Sequence, residues 1–275
     1  MSLTLDHIVI AVRDLDAAIA DYTALGFTVL RGGEHPGRPT HNALVVFADG
    51  AYFELIAWRA PAPQDRWWRQ LAEHGEGLVD FALLPPDTGA TVAAAAARGL
   101  ALEGPLDGGR LRPDGERLHW QTARPPSPEL PFLCGDLTPR ALRVPEGAAR
   151  AHANGVRGVA RVAVAVPDLA ASLAHYRALL GDGTALTVVP GAPGSAPDDG
   201  VRRATLTLGG STVVLEAPAA AGEQGADTPG AQALRRRLAT RGPGPHAVEL
   251  LVGLAPEAAR AAPLLPHGIS LIHAG

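Results

Sequence analysis

The sequence has few of the features that accompany secretion, membrane insertion or nucleic-acid binding. Cys134 is its single cysteine, so no disulfide can form within the chain. No apolar run reaches the ~18 residues of a membrane-spanning helix, and the N-terminus lacks the basic-then-apolar pattern of a signal peptide. The net charge is -4, without the basic excess that phosphate binding needs. We therefore expect a cytoplasmic protein whose partners are neither membranes nor nucleic acids.

Several catalytic motifs are also missing. The sequence contains no GxxxxGK[ST] phosphate loop, no HExxH metal motif and no GxSxG nucleophile elbow. The glycine-rich stretch GGEHPG precedes no predicted helix, so we do not interpret it as a phosphate cradle. Cys134 has no neighbouring motif for nucleophilic chemistry.

An internal repeat is the main positive feature. The segment HIVIAVRDLDAAIADYTALG begins at His7, and RVAVAVPDLAASLAHYRALLG begins at Arg161. Each copy is typical of a strand, then an aspartate N-cap, then an apolar pattern of helical period. A second pair, LAEHGEGLVDFALL from Leu71 and LATRGPGPHAVELL from Leu238, indicates a helix end, a glycine stop and a strand. The repeats predict four units, each beginning with a strand and a helix.

The first two units also show where their other strands lie. In the first unit, strands are predicted near 27–30, 42–48 and 51–58, and Asp49-Gly50 forms a tight turn between the last two. In the second unit, a strand is predicted at 78–84 and a weaker one near 100–104.

The predicted units pair into two domains. A chain of 275 residues, 47% hydrophobic, suits two ordinary globular domains. We predict an α+β fold with the first domain at 1–137, a linker at 138–155 and a second, divergent domain at 156–275. The last unit is predicted to have a helix over 255–265 and one further strand, without the hairpin that ends the first and third units.

A βαβββ unit repeated in pairs resembles the vicinal oxygen chelate (VOC) superfamily, and this sequence is similar to its glyoxalase-like domain branch. The superfamily includes glyoxalase I, extradiol dioxygenases, fosfomycin-resistance proteins and bleomycin-binding proteins. The resemblance covers nearly the whole chain and is carried by LDHIVIAVRDLDAA, GGEHPGRPTHNALVVFADGAYFELIAW, HGEGLVDFALL and LPFL. The branch often has a histidine and then Gly-Thr-His-Asn ahead of the first hairpin. His35 and the run from Pro39 to Asn42 match, except that Pro39 replaces the glycine. The resemblance implies two VOC domains of tandem βαβββ modules, the second with a truncated last module.

Two polar residues stand out because side chains alternate between the faces of a strand. In the first strand, His7 lies opposite an all-apolar set that we expect to pack on the helix. In the strand AYFELIAW, Glu54 lies opposite a similar set. A buried, unpaired carboxylate costs several kcal/mol, so it is normally paired, protonated or metal-bound. A histidine and a glutamate on one wall suit a divalent ion such as Zn, Ni, Mn or Fe.

The resemblance also implies where metal ligands would lie. In superfamily members that bind metal, ligands typically come from the first and last strands of paired units, and His7 and Glu54 match two of these positions. Asp80 stands where the third ligand is often a histidine. The glutamate of the fourth position is absent, which leaves Cys134 or Asp136 as substitutes. The predicted metal ligands are therefore His7, Glu54 and Asp80, and His7 and Glu54 are also the predicted catalytic residues.

Other residues are predicted to bind a small molecule beside these groups. His35, His41 and Asn42 precede or enter the first hairpin, and Tyr52 shares a face with Glu54. Alternatives remain open at each position. Asn42 could stabilise a turn, and the buried polar groups could be satisfied by hydrogen bonds or an arginine ion pair instead of a ligand.

The second half lacks the same groups. Under the repeat offsets, Arg161 replaces His7, Val214 replaces Glu54 and Ala247 replaces Asp80. Glu216 could pair with Arg161. We interpret this half as structural, or as a metal-free pocket.

These observations leave three functions open. The first is a divalent-metal-dependent enzyme of lyase, isomerase or dioxygenase type, acting on a small oxygen-bearing molecule, in which Glu54 or a nearby histidine moves protons. The second is a metal-free small-molecule binding or sequestration protein of resistance type. The third is metal-free acid–base catalysis by His7 and Glu54. Lactoylglutathione lyase activity is not expected, since the ligand set does not match, and the protein is expected to be a monomer or homodimer.

Overall fold

The computed structural model describes most of the chain, namely residues 3–181, 186–189, 199–253, 264–267 and 269–272. It has the α+β architecture of βαβββ-like repeats that the sequence predicts. In the described part of the chain, no helix is long and apolar enough to cross a membrane.

The first half forms a closed eight-stranded barrel. Its elements are β1 (Thr4–Ala11), α1 (Leu15–Ala24), β2 (Leu30–Glu34), β3 (Thr40–Val46), β4 (Tyr52–Trp58), α2 (Arg66–His74), β5 (Gly77–Leu84), α3 (Thr88–Ala97), β6 (Glu103–Leu111), β7 (Arg117–Arg124) and β8 (Phe132–Asp136). The strand order around the barrel is β1-β4-β3-β2-β6-β7-β8-β5. β1 is parallel to β4 and β5 is parallel to β8, and the two units join through the antiparallel pairs β1–β5 and β2–β6.

Local sequence explains where the first elements begin and turn. The Asp14 carboxylate accepts hydrogen bonds from the backbone N–H groups of Asp16 and Ala17, at 2.9 and 3.0 Å, which caps α1. Gly50, with φ at 86°, provides the left-handed residue in the turn between β3 and β4. Both features match the prediction from the sequence.

β2 and β6 lie further along the chain than predicted. The sequence indicated strands at 27–30 and 100–104, whereas the structure has them at Leu30–Glu34 and Glu103–Leu111. Their sequences, LRGGE and EGPLDGGRL, are rich in glycine and proline and resemble loops. Barrel closure supplies hydrogen-bond partners on both sides, so tertiary pairing outweighs strand propensity here.

In its described residues, the second half forms a sheet of seven strands. Its elements, together with a helix in the predicted linker, are α4 (Arg140–Arg143), β9 (Val156–Ala165), α5 (Leu169–Leu180), β10 (Leu186–Val189), β11 (Val201–Leu208), β12 (Ser211–Pro218), α6 (Pro229–Arg241), β13 (Gly244–Val252), β14 (Leu264–Leu265) and β15 (Ile269–Ile272). The strand order is β10-β11-β12-β9-β13-β15-β14. The helix predicted at 255–265 lies outside the described residues, except for its last two, which form β14.

The apolar core joins the two halves. Ile8 and Phe53 on the outer wall of the barrel belong to the same buried cluster as Val162 and Leu215 of the second sheet, with Tyr22 of α1 at 0% exposure. The all-apolar faces that the sequence assigned to helix packing therefore point outward from the barrel. The opposite faces are left to line the barrel interior.

Candidate functional site

The interior of the barrel contains a cavity of about 1050 Å³. Six of the seven predicted site residues line it: His7, His35, Asn42, Tyr52, Glu54 and Asp80. His41 is not among the lining residues. It precedes Asn42 in β3, so strand alternation turns its side chain to the other face.

A β-bulge positions His7. The pairing of β1 with β5 skips one residue between Leu5 and His7, so Asp6 is the extra residue. The neighbouring side chains of Asp6 and His7 meet there, with His7 Nδ1 2.7 Å from Asp6 Oδ2. The imidazole stacks on Tyr52 with 4.7 Å between ring centroids. When Nδ1 donates its hydrogen to the ionised Asp6, Nε2 keeps a free lone pair, and it lies 3.6 Å from Glu54 Oε2.

The buried carboxylate of Asp6, the half-buried carboxylate of Asp136 and two arginines form an ion-pair cluster beside this histidine. Arg143, 3% exposed, donates to Asp6 at 2.8 Å, to Asp136 at 2.5 Å and to the Tyr52 hydroxyl at 2.7 Å. Arg140 donates to Asp6 at 2.6 Å and to Asp136 at 3.1 Å. Burial raises the pKa of Asp6, but Arg143, His7 and Arg140 outweigh burial and hold that pKa far below its usual range. The cluster is balanced in charge and fixes the ionised form of Asp6.

Glu54 has a different environment. It is buried, at 7% exposure, and its Oε1 accepts a hydrogen bond of 2.6 Å from Asn42 Nδ2. His35 Nε2 lies 3.7 Å from the same oxygen, and His7 Nε2 lies 3.6 Å from Oε2. Among the residues that the structure describes, no arginine lies within 4.0 Å of this carboxylate. Glu54 therefore keeps its charge available to whatever enters the cavity.

Asp80 lines the same cavity, but its oxygens are occupied. Its Oδ2 contacts the Arg66 guanidinium and accepts a 3.0 Å hydrogen bond from Trp67 Nε1, and its Oδ1 accepts from Phe81 N–H at 2.9 Å. Burial raises the pKa of Asp80, and Arg66 opposes that shift. This carboxylate is already compensated.

His35 is held as a neutral group beside Glu54. Its Nδ1 lies 2.9 Å from Thr40 Oγ1. Burial lowers the pKa of His35, Glu54 opposes that change, and Arg110 and Arg38 lower the pKa further. The ring therefore presents a neutral imidazole to the cavity near pH 7.

Three important residues of the site were not predicted from the sequence. Asp6 and Arg143 orient His7, and Arg110 lines the cavity near Asn42 with only 4% exposure. The LDH triplet contains Asp6, but strand alternation would have turned it away from His7. Arg143 lies in the predicted linker, and Arg110 lies in the glycine-rich strand that resembles a loop.

Two groups of side chains around the cavity carry donor atoms of the kind that bind a divalent metal ion. Asp6, His7 and Cys134 each offer a ligand atom within 4.8 Å of the others. This group does not fit a metal, because Arg143 and Arg140 already bind the Asp6 carboxylate and burial raises the pKa of the Cys134 thiol. The set predicted from the sequence is also incomplete, since Asp80 is paired with Arg66. Among the described cavity residues, His7 Nε2, His35 Nε2 and Glu54 keep donor atoms that are not paired with an arginine, and the two imidazole nitrogens lie 3.6 and 3.7 Å from the Glu54 oxygens.

The second sheet lacks an equivalent site in the residues described. Thr212 pairs with Arg161 as Tyr52 pairs with His7, so Val214 holds the Glu54 position. The suggested Glu216–Arg161 pair is wrong. Glu216 contacts His246 at 2.9 Å and Arg203 at 2.8 Å, while Arg161 pairs with Glu249 at 3.0 Å.

Comparisons with solved structures agree with this fold. A hypothetical protein from Staphylococcus aureus is similar, with a TM-score of 0.68, 13% sequence identity and 99% of both chains covered. A triple mutant of 4-hydroxymandelate synthase from Streptomyces coelicolor gives a TM-score of 0.56 and 15% identity, covering 92% of this chain and 72% of that one. A xylose isomerase-like TIM barrel/4-hydroxyphenylpyruvate dioxygenase fusion protein gives 0.52 and 17%, covering 91% and 36%. At these identities the likeness concerns the fold alone.

The comparison with families is more specific. None of the curated proteins matches this sequence. The family model of the glyoxalase-like domain matches residues 5–180. That match includes the barrel, its buried Asp6–His7 pair and Glu54. Because it spans more than half of the chain, the protein belongs to the glyoxalase-like domain family, within the VOC superfamily that its sequence resembles.

Proposed function

We propose that the barrel cavity is an enzyme active site in which Glu54 moves a proton to or from a small oxygen-bearing molecule. The main support for this proposal is the identity of the residue that hydrogen-bonds to Glu54. Asp6 and Asp80 are each paired with arginine, whereas Glu54 is held by the neutral amide of Asn42. A buried carboxylate that lacks a cation is suited to accept and return a proton.

The neighbouring residues support proton transfer in distinct ways. Asn42 fixes Oε1 of Glu54 and leaves Oε2 directed toward His7. Asp6 fixes the His7 tautomer and would stabilise the imidazolium if Nε2 took up a proton. His35 offers a neutral ring on the other side of the carboxylate.

The reaction class is removal of an acidic hydrogen from the substrate by Glu54 and its return to the same or a neighbouring atom. No oxidant or other reactant is needed, so isomerisation is the simplest member. A lyase would use the same step if the resulting carbanion expelled a leaving group.

Hydrogen exchange in D₂O tests this proposal. Wild-type protein is incubated with a panel of small carbonyl and hydroxy compounds, and loss of C–H signals is followed by proton NMR. We expect exchange by the wild type and a loss of about 100-fold or more in Glu54→Gln. Glu73→Gln, at a helix position remote from the cavity, is the matched control. Equal exchange by wild type and Glu54→Gln would overturn the proposal, and binding without exchange would support a metal-free binding protein instead.

A metal-dependent version of this enzyme is the second candidate. The 3.6 Å from His7 Nε2 to Glu54 Oε2 is close to the roughly 3.4 Å between two ligands of one tetrahedral ion. A divalent ion held by His7 and Glu54 would supply Lewis-acid polarisation of a substrate oxygen. The metal content of protein purified without chelator tests this candidate. About one ion per chain in the wild type, lost in Glu54→Ala, would support a metal-dependent enzyme. No bound metal, even after soaking with Zn, Ni, Mn or Fe(II), would contradict it.

A further inference from the structure

We propose that Arg110 binds the carboxylate of the molecule that enters the cavity, so that the substrate of the site is a small carboxylic acid. The inference deepens the proposed function and rests on it for the reacting group. The anion-binding part has evidence of its own.

Arg110 is a buried cation without an anion. It lies in β6, lines the cavity and is 4% exposed. Its hydrogen bonds are both long and go to neutral oxygens, 3.4 Å to Asn42 Oδ1 and 3.4 Å to the Arg143 carbonyl. Its Nε atom is buried without a hydrogen-bond partner. Within the described residues no carboxylate lies within 4.0 Å, although an uncompensated buried charge is costly.

Glu54 does not contact Arg110, because the Asn42 amide lies between them, and the charge of Glu54 only partly offsets the effect of burial, which lowers the pKa of Arg110. The Asn42 amide donates from Nδ2 to Glu54 at 2.6 Å and accepts from Arg110 through Oδ1 at 3.4 Å. One neutral side chain therefore separates the two charges and keeps both available. This arrangement is expected of a site that binds an anion at one group and moves a proton at the other.

The backbone of β2 passes very close to the side chains of Asn42 and Arg110. A Cβ atom at Gly32 would lie 2.0 Å from Asn42 Oδ1 and 2.7 Å from Arg110 NH1. A Cβ atom at Gly33 would lie 1.9 Å from the carbonyl oxygen of Leu111 and 3.3 Å from Arg110 Cγ. Only glycine allows β2 to come so close to the amide and the guanidinium.

The pairing of individual charges favours a monoanion over a dianion at Arg110. Asp6 and Asp136 are matched by Arg140 and Arg143, and Asp80 is matched by Arg66. Among the buried groups described around the cavity, Arg110 and Glu54 remain. A carboxylate brings one charge and fits the planar guanidinium fork, whereas a phosphate dianion would bring a second charge that no buried cation meets.

An aromatic wall defines the other part of the ligand. The Trp120 indole lies across Gly108, where a Cβ atom would be 2.4 Å from Nε1. Phe132 and Trp67 also line the cavity, with 5.6 Å between their ring centroids. An acid with a flat apolar body could place its body on this wall and its carboxylate on Arg110.

Three probes of similar shape test the assignment. Phenylacetate carries a carboxylate, phenylacetamide is its neutral analogue, and phenyl phosphate carries a phosphoryl dianion. Binding to the full chain is measured by calorimetry for the wild type, Arg110→Gln and the control Arg112→Gln. Arg112 pairs with Asp114 and does not line the cavity.

We expect phenylacetate to bind the wild type and Arg112→Gln equally, and Arg110→Gln at least about tenfold more weakly. Phenylacetamide should bind the wild type at least about tenfold more weakly than the acid. If Arg110→Gln does not fold by circular dichroism, the acid and amide are still compared on the wild type. Failure of phenylacetate to bind, equal binding of acid and amide, equal affinity in folded Arg110→Gln, or preference for phenyl phosphate would each overturn the proposal.

Glu54→Gln separates this inference from the proposed function. Because the variant removes a negative charge near Arg110, phenylacetate should bind it at least as tightly as the wild type. If phenylacetate binding does not depend on Arg110 while hydrogen exchange still depends on Glu54, only the carboxylate site is overturned. If phenylacetate binding depends on Arg110 but hydrogen exchange does not depend on Glu54, only the proton-transfer role is overturned.

Discussion

Asp6 and Glu54 are both buried carboxylates beside His7, yet their partners assign them different roles. Asp6 is bound by two guanidinium groups and stays ionised, so it orients the imidazole and does not exchange protons near neutral pH. Glu54 faces the neutral amide of Asn42 and two imidazole nitrogens at 3.6 and 3.7 Å. The distinction depends on arginine placement and not on residue type.

Removing the Asp6 charge should therefore destabilise the protein strongly. Asp6→Asn leaves Arg143 buried with less compensation, and we expect a loss of about 3–5 kcal/mol in the free energy of unfolding. Asp16→Asn is the control, because its ion pair with Arg31 is exposed on the surface and should contribute at most about 1 kcal/mol. Urea denaturation measures both variants. A loss in Asp6→Asn no larger than in the control would contradict the structural role of the cluster.

At the scale of single residues, the sequence predicted the site residues whose side chains follow the regular alternation between the two faces of a strand. His7 and Glu54 face the cavity because apolar neighbours occupy the opposite faces of β1 and β4. Asp6 reaches His7 only through the bulge, whose position depends on pairing with β5 and has no local signal. Arg110 reaches the cavity from a segment that resembles a loop, so its partner Asn42 was identified and the arginine was not.

At the scale of elements, β2 and β6 close the barrel. The β2 backbone there comes so close to Asn42, Arg110 and Leu111 that glycine is required. The sequence suggested shorter or displaced strands at both places, because propensity does not report the pairing that closure imposes. α1, β4 and β5 were identified well, since an aspartate cap, a tight turn and clear apolar patterning mark them locally.

A methyl group on β2 should therefore disturb the site directly. In Gly32→Ala, the new Cβ atom meets Asn42 Oδ1 and Arg110 NH1 at 2.0 and 2.7 Å, so both side chains must move. We expect a loss of about 1–3 kcal/mol in stability and loss of Arg110-dependent binding of phenylacetate. Gly210→Ala is the control, because a Cβ atom there meets nothing within 4 Å. Unchanged stability and binding in Gly32→Ala would show that β2 does not constrain the pair.

At the scale of the whole molecule, one apolar core joins two halves that carry different side chains at equivalent positions. The barrel retains His7, Asn42 and Glu54 around its cavity, whereas the second sheet has Val214 at the position of Glu54. The repeat in the sequence predicted this divergence, because equivalent positions could be compared without knowing the fold. It could not predict which polar pairs the second sheet forms instead, since those depend on register across distant strands.

The half-buried, neutral imidazole of His35 makes the stability of the protein depend on pH. The unfolded chain takes up a proton on His35 near the ordinary pKa of about 6.5, while burial lowers the pKa in the folded state despite Glu54, with Arg110 and Arg38 adding to the decrease. Stability should therefore be retained above about pH 6.5 and fall as pH decreases toward the folded pKa. Urea midpoints at pH 7.5 and 5.5 should differ more for the wild type than for His35→Gln. An equal difference in both proteins would contradict the neutral assignment.

We propose above all that Glu54 transfers a proton on a small acid held in the barrel. The most direct test is the rate at which wild type and Glu54→Gln exchange substrate hydrogens for deuterium, measured on small carboxylic acids that carry an acidic C–H bond. We expect exchange by the wild type, an unchanged rate in Glu73→Gln and a rate reduced about 100-fold or more in Glu54→Gln. Exchange that persists at the wild-type rate in folded Glu54→Gln would contradict it.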